Sequence, residues 1–253
     1  MVIFLEEYVL INDENEKIIY QIIGQKDGKV ELKGLNFRKK ITVEFSKVEK
    51  ISEKIYENEE MRNNLYLNEF LFRKRGKKCL LGTVLHFDSD AEYLQRCVDF
   101  YKKMGIYCYP VFCDTENVSD FLEKVEINFV PDVIVITGHD YYNGDGKKEI
   151  KNYSNSKYFV KAISAARIKY ATSVIIAGAC QSHFEALLAS GANFASSPKR
   201  VNVHVYDPAI IAVNICTTSI RNVVNYDKIE KYIVKLKDSY GGIETYGKMK
   251  MLY

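Results

Sequence analysis

Two reactive side chains stand at the ends of two apolar runs. Val133-Ile134-Val135-Ile136-Thr137-Gly138-His139-Asp140 ends on an imidazole, and Val174-Ile175-Ile176-Ala177-Gly178-Ala179-Cys180-Gln181-Ser182 ends on a thiol. A thiol is a strong nucleophile as the thiolate, and an adjacent imidazole supplies the base that makes it or the cation that stabilises it. Backbone N–H groups after Cys180 and around Gly138 and Asp140 are candidate donors to a developing oxyanion. Taken singly, each residue also has a plain structural explanation: free cysteine is among the most buried residue types, and a strand-end histidine is readily satisfied by its neighbours. The shared setting of the two is what points to catalysis.

That setting follows from the elements around them. Each run is β-branched and apolar, too short for a helix and bounded by small residues, as expected of a strand buried on both faces of a parallel sheet. Between them, residues 155–170 carry Tyr158, Phe159, Ala162, Ile163, Ala166 and Ile168 at helical spacing, which predicts a crossover helix and makes the two strands neighbours. Parallel sheets collect their chemistry at the carboxyl ends of the strands, where His139 and Cys180 both stop. A helix expected over 184–190 would add its amino-terminal partial charge near Cys180.

Composition narrows the rest. With 253 residues, 47% of them hydrophobic, the chain can bury one full α/β core and carry a small extra module. A net charge of +3 gives no concentrated basic face, so no nucleic-acid partner is expected. No apolar run reaches membrane-span length, and the first residues lack the pattern of a signal peptide, so no membrane partner is expected and a cytoplasmic setting is the default. The six cysteines, Cys79, Cys97, Cys108, Cys113, Cys180 and Cys216, show no paired spacing, so neither a metal site, another cofactor nor a disulfide framework is expected.

In chain order, residues 1–52 contain four or five short, partly alternating strands separated by turn signals such as Asn12-Asp13-Glu14-Asn15 and Lys26-Asp27-Gly28, which suggest a small SH3-like β-barrel. Residues 53–78 read as a short helix followed by an exposed linker, with the basic run Arg73-Lys74-Arg75-Gly76-Lys77-Lys78 as a solvated segment and a candidate self-cleavage site. Residues 79–253 alternate strands and helices: strands at 79–88, 106–113, 133–137, 174–179 and 201–206, helices at 91–104, 118–125, 155–170, 184–190, 209–216 and 229–236, and a Gly241-Gly242 turn. The expected fold is α/β, a mostly parallel sheet with helices on both faces, preceded by the small barrel.

A strand ending in His followed by one ending in Ala-Cys is similar to the caspase, gingipain and legumain group of cysteine peptidases. Here Gly138 precedes His139, whereas in that group a Gly follows the His. The chain resembles the YabG family of sporulation peptidases of endospore-forming bacteria more specifically. The matching segments are Leu85-His86-Phe87-Asp88-Ser89-Asp90, Thr137-Gly138-His139-Asp140, Asn155-Ser156-Lys157-Tyr158-Phe159, Ala177-Gly178-Ala179-Cys180-Gln181-Ser182, Gly191-Ala192-Asn193-Phe194-Ala195-Ser196-Ser197-Pro198-Lys199-Arg200 and Gly241-Gly242-Ile243-Glu244-Thr245. The resemblance implies a caspase-like cysteine endopeptidase that processes spore coat proteins in the mother cell and forming coat, with Cys180 as nucleophile and His139 as general base and acid. It also implies a pocket for the residue before the scissile bond where this chain carries Asp88, Asp90 and Asp207, hence cleavage after a basic residue. Asp90, just before a helix, reads as its N-cap, which leaves Asp88 and Asp207 as the candidate substrate-binding carboxylates.

Two other classes fit parts of the sequence. Gly178-Ala179-Cys180-Gln181-Ser182 partly echoes the nucleophile elbow of an amidotransferase-like hydrolase, but that enzyme needs a histidine far downstream, and none follows His204. A non-catalytic flavodoxin-like scaffold would use Asp88 and Asp90 after the first strand and leaves His139 and Cys180 unexplained. Of the other histidines, His86 lies within a strand, His183 is carried away from the sulfur by its helix, and His204 reads as a mid-strand core residue.

Overall fold

The computed structural model describes residues 7–12, 14, 17–71, 79–144, 146–233 and 236–252. The chain forms two compact units, residues 1–73 and 74–253. The basic run at 73–78 lies outside the described residues.

The first unit is built on a five-stranded antiparallel sheet: β1 Tyr8–Ile11, β2 Tyr20–Lys26, β3 Lys29–Gly34, β4 Lys40–Glu44 and β5 Val48–Lys50. Its order is β4-β3-β2-β1-β5, so the last strand returns to pair with the first. Alternation puts Val9, Tyr20, Ile22, Val30 and Leu32 into one small core. Helix α1, Glu53–Leu71, is 19 residues long rather than the short helix expected, and Tyr56 on it stacks on Tyr8 with ring centroids 4.4 Å apart. The charged segment is rich in good helix formers, so the charges of 53–71 lie along a helix.

The second unit holds a six-stranded sheet with helices packed on both sides. Its elements are β6 Cys79–Leu80, β7 Val84–Asp88, α2 Ala91–Lys103, β8 Cys108–Phe112, α3 Val118–Lys124, β9 Val133–Thr137, α4 Ser156–Lys169, β10 Val174–Ala177, α5 Phe184–Ala189, β11 Phe194–Ser196, α6 Asp207–Thr217, α7 Tyr226–Glu230, α8 Leu236–Ser239, β12 Tyr240–Gly242 and β13 Lys250–Met251. The order is β12-β11-β10-β9-β7-β8, parallel throughout except for β12 at the edge. β9 and β10 are neighbours in register from Val133↔Val174 to Ile136↔Ala177, with α4 as the crossover.

Side-chain alternation separates the two faces. Leu85, Phe87, Ile134, Ile136, Ile175 and Ala177 share a core with Val118 and Leu122 of α3, Phe159 and Ile163 of α4, and Leu187 of α5. The intervening residues point to the opposite face, where α2 and α6 pack on the sheet. The sheet grows from β7 to both sides, toward β8 and toward β9, which makes the carboxyl edge between β7 and β9 its topological switch point.

Several segments depart from the sequence reading: the helix expected at 229–236 is broken, with α7 ending at Glu230 and 231–233 in a turn, and the strand expected at 79–88 is split into β6 and β7. Residues 201–206 are not a strand: Arg200 enters with φ +60° and the chain turns at Val205-Tyr206 into α6. The neighbouring strand is instead β11, three residues between a helix and Ser197 at φ +59°. Gly241-Gly242 forms an edge strand paired with β11 rather than a turn; Phe184 leaves no room for a Cβ on Gly241, and Asn193 and Phe194 leave none on Gly242.

Candidate active site

The register of the sheet brings His139 and Cys180 to equivalent places. Each lies three residues beyond the paired Ile136↔Ala177, and the ladder continues past that pair through Gly178 N–H donating to Ile136 O at 3.0 Å. Both residues lie beyond the last paired strand residues, so their contacts place them. The His139 ring lies 5.7 Å from that of Tyr93 on α2, and the Cys180 sulfur meets Val203, in the segment leading into α6.

Cys180 is only 1% exposed. Val203 N–H donates to its sulfur at 3.1 Å, and the thiol faces Val203 O at 3.7 Å. An N–H aimed at sulfur favours negative charge there. The residue sits in a strained turn: Gly178 has φ +107° and Gln181 φ +58°. A Cβ on Gly178 would collide with Ser196 and Leu187, so only glycine passes between β10 and β11 here. Gln181 N–H, an expected oxyanion donor, is engaged by Val201 O at 3.1 Å and Ser197 Oγ at 2.9 Å. The amino end of α5 serves its own N-cap His183 rather than the sulfur.

His139 is part-buried, with Nε2 3.2 Å from Asp90 Oδ2, while Nδ1 is buried and has no hydrogen-bond partner among the described residues. Asp90 caps α2 as expected, its Oδ1 accepting from Tyr93 N at 3.1 Å. Its second contact, to the imidazole, joins positions 49 residues apart, and no local sequence pattern announces such a pairing.

Gly138 has no room for a side chain: a Cβ would meet Ser89 Oγ and come within 2.8 Å of Thr115 Oγ1. Asp140 does not touch the imidazole through any contact found. Its Oδ1 accepts from Tyr141 N (2.9 Å), Ser154 Oγ (3.0 Å) and Asn155 N (2.7 Å), and its Oδ2 from Ser156 Oγ (2.5 Å) and Ser182 Oγ (2.9 Å). It is the buried acceptor that stitches the loop after β9 to the loop after β10.

The two expected specificity carboxylates are turned inward. Asp88 is 0% exposed, its Oδ1 taking Asp90 N–H at 3.0 Å and its Oδ2 the Thr137 hydroxyl at 2.9 Å. It belongs to a buried chain that runs on through Thr137 to His86 Nε2 (3.0 Å), whose Nδ1 meets Tyr101 Oη at 3.1 Å. Asp88 is fully enclosed in this arrangement. Asp207, at the start of α6, is 3% exposed and accepts His204 N–H at 3.1 Å.

The remaining histidines are held elsewhere. His183 accepts Ala186 N–H on Nδ1 (3.3 Å) and places Nε2 3.1 Å from Lys148 O. His204 lies in the loop before α6, half-buried, rather than mid-strand. Near His183, Arg200 binds Tyr153 Oη at 2.6 Å and Glu185 at 2.5 Å. Burial works to raise the Glu185 carboxyl, but the hydrogen bonds from Arg200 and from its own backbone outweigh it and hold the group below its ordinary value. Burial pushes the thiols of Cys108 and Cys216 well up. Among the described residues no group of three or more His, Cys, Asp or Glu could hold a metal ion, and no helix is long and apolar enough to cross a membrane.

The comparisons fit this picture. A family model described as YabG peptidase U57 matches residues 8–253. The sporulation-specific protease YabG of Bacillus subtilis (strain 168) is 41% identical over 175 residues, an alignment that takes in 67% of this chain and 60% of that protein.

Proposed function

This chain belongs to the YabG peptidase U57 family, and on that premise we propose that it is a cysteine endopeptidase of sporulation, acting on spore coat proteins through Cys180 and His139. The observation that carries the reading is the equivalent placement of these two residues just past the ends of adjacent parallel strands, each three residues beyond Ile136↔Ala177. Alternating parallel strands with a nucleophile and a base at the carboxyl edge support a caspase-like arrangement of the second unit. In the first unit, the return of β5 to β1 supports the SH3-like reading.

In the proposed reaction the imidazole takes the Sγ–H proton, and the thiolate attacks the scissile carbonyl carbon. The tetrahedral oxyanion is met by backbone N–H groups near Gly138. The imidazolium then protonates the departing amine, leaving a thioester that water hydrolyses with the imidazole again as base. Because Cys180 is 1% exposed beneath Val203, substrate entry requires the segment at 201–206 to move aside. That movement also uncovers Asp207, the carboxylate we assign to a basic side chain before the scissile bond, where charge-assisted pairing contributes about 1.5–3 kcal/mol.

The test is a fluorogenic peptide panel that differs only in the residue before the scissile bond, with Arg, Lys, Asn, Asp and Leu. Turnover lost in Cys180→Ala and in His139→Ala supports the dyad. Arg preference lost in Asp207→Ala identifies the specificity carboxylate, and preference for Asn or Asp rejects it.

A further inference from the structure

His139 has one ring nitrogen beside a carboxylate and the other buried without a hydrogen-bond partner among the described residues, and that asymmetry carries a further assignment. We propose that Asp90 is the positioning residue of His139, a role that rests on the cysteine peptidase reading above. Asp90 does two jobs through two oxygens: Oδ1 caps α2 by accepting Tyr93 N–H at 3.1 Å, and Oδ2 lies 3.2 Å from His139 Nε2. The cap fixes the carboxylate on the first turn of a 13-residue helix. Beneath it, Asp88 Oδ1 accepts Asp90 N–H and Asp88 Oδ2 accepts the Thr137 hydroxyl, so the exits of β7 and β9 are tied together directly under the pair. This is the switch point of the sheet, where an α/β fold places its ligands.

The protonation pattern follows from hydrogen-bond chemistry. An ionised carboxylate only accepts, so the Nε2 beside it carries the proton. The lone pair is then on Nδ1, the buried atom with no hydrogen-bond partner among the described residues. Buried polar atoms in folded proteins are nearly always paired, and a catalytic role is one reason for an exception. Nδ1 receives the proton as the S–H bond of Cys180 breaks and the N–H bond forms. The imidazolium keeps its Nε2–H on Asp90, whose charge stabilises the cation without taking its proton, and Nδ1–H later passes to the leaving nitrogen. The side chains of His139 and Asp90 are 17% and 11% exposed, so little solvent screens the pair.

Two measurements decide it. The first is kcat and KM on a peptide with Arg before the scissile bond, for the full chain and its Asp90→Asn, Asp90→Ala and His139→Ala variants. Asparagine caps a helix as well as aspartate does, so Asp90→Asn keeps α2 and removes only the charge at the imidazole. The expected result is a fall in kcat of about 10²- to 10⁴-fold with KM little changed. Wild-type kcat in Asp90→Asn, with the melting temperature lowered only in Asp90→Ala, would show that Asp90 is a helix cap and overturn the assignment. If His139→Ala keeps its turnover, the dyad itself is wrong; if it is inactive while Asp90→Asn is fully active, only the role of Asp90 fails. The second is the ring NMR spectrum of histidine-labelled Cys180→Ala protein, which needs no substrate. A downfield Nε2–H proton on His139 that disappears in Asp90→Ala is expected, and a His139 ring protonated on Nδ1 alone would overturn the proposal.

Discussion

Asp140 Oδ2 accepts the Ser182 hydroxyl at 2.9 Å, and the same carboxylate takes Ser156 Oγ at 2.5 Å. Through it, the chain leaving β9 just after His139 is fastened to the chain leaving β10 just after Cys180. Their relative position therefore depends on a residue outside the proposed proton path.

Asp140→Ala removes an acceptor shared by five donors; Tyr141 N–H keeps Ser154 Oγ at 3.0 Å, while the buried Ser156 and Ser182 hydroxyls lose theirs. The expected cost is about 3 kcal/mol, seen in thermal unfolding as a fall in melting temperature of roughly 6–12 °C for a unit of this size. Residual activity at low temperature, lost on mild warming, would fit this role. An unchanged melting temperature with activity abolished would make Asp140 a participant in the chemistry instead.

Gly138→Ala drives a Cβ into Ser89 Oγ and to within 2.8 Å of Thr115 Oγ1. Overpacking of this kind costs about 1–3 kcal/mol, and here it displaces the residue before His139, so turnover falls together with stability. Adding Ser89→Gly restores part of both, as chemical denaturation and peptide kinetics would show. No recovery in the double variant would mean that space is not what requires glycine at this position.

The Glu185 carboxyl is held below its ordinary value in the folded chain, chiefly against the opposing effect of burial, by hydrogen bonds from Arg200 and its own backbone. Its stabilisation is therefore present above the ordinary carboxyl range and is lost as pH falls through the lowered folded value. With the side chain 62% exposed, the pair is screened and contributes less than about 1 kcal/mol. Denaturation of Glu185→Gln and the unaltered chain should differ slightly at neutral pH and converge in acid; a gap that widens in acid would reverse the sign.

Much of the second unit was legible in its sequence. β9 and β10 are near-continuous apolar runs because both of their faces are covered, β7 is an apolar run interrupted by His86 and ended by Asp88, and α2 announces itself through Asp90 at its start and Gly105, with φ +66°, at its end. β11 and β12 were not legible, since three residues each of small or glycine-rich sequence carry no periodic signal and owe their strand form to the neighbours they pair with. The alternating residues 201–206 imitate a strand but are spent on covering Cys180. His139 and Cys180 stood out because each ends a strong local pattern. Asp90 was legible only as a cap, because its contact with His139 exists only once β7 and β9 lie side by side.

Reactivity of the thiols separates Cys180 from its fellows. Burial raises the Cys108 and Cys216 thiols, and burial with the nearby Asp114 charge raises Cys113. Iodoacetamide at neutral pH, followed by peptide mapping, should modify Cys180 at the rate at which the 201–206 segment opens and leave Cys108 and Cys216 intact. Labelling of Cys108 or Cys216 ahead of Cys180 would contradict this ordering.

The most direct measurement is turnover of the peptide panel by purified Cys180→Ala protein whose melting temperature matches that of the unaltered chain. No cleavage above the peptide's spontaneous hydrolysis is expected, because the proposed reaction has no step without the attacking sulfur. Turnover at the wild-type rate would contradict the assignment of Cys180 as nucleophile, and with it the cysteine peptidase reading.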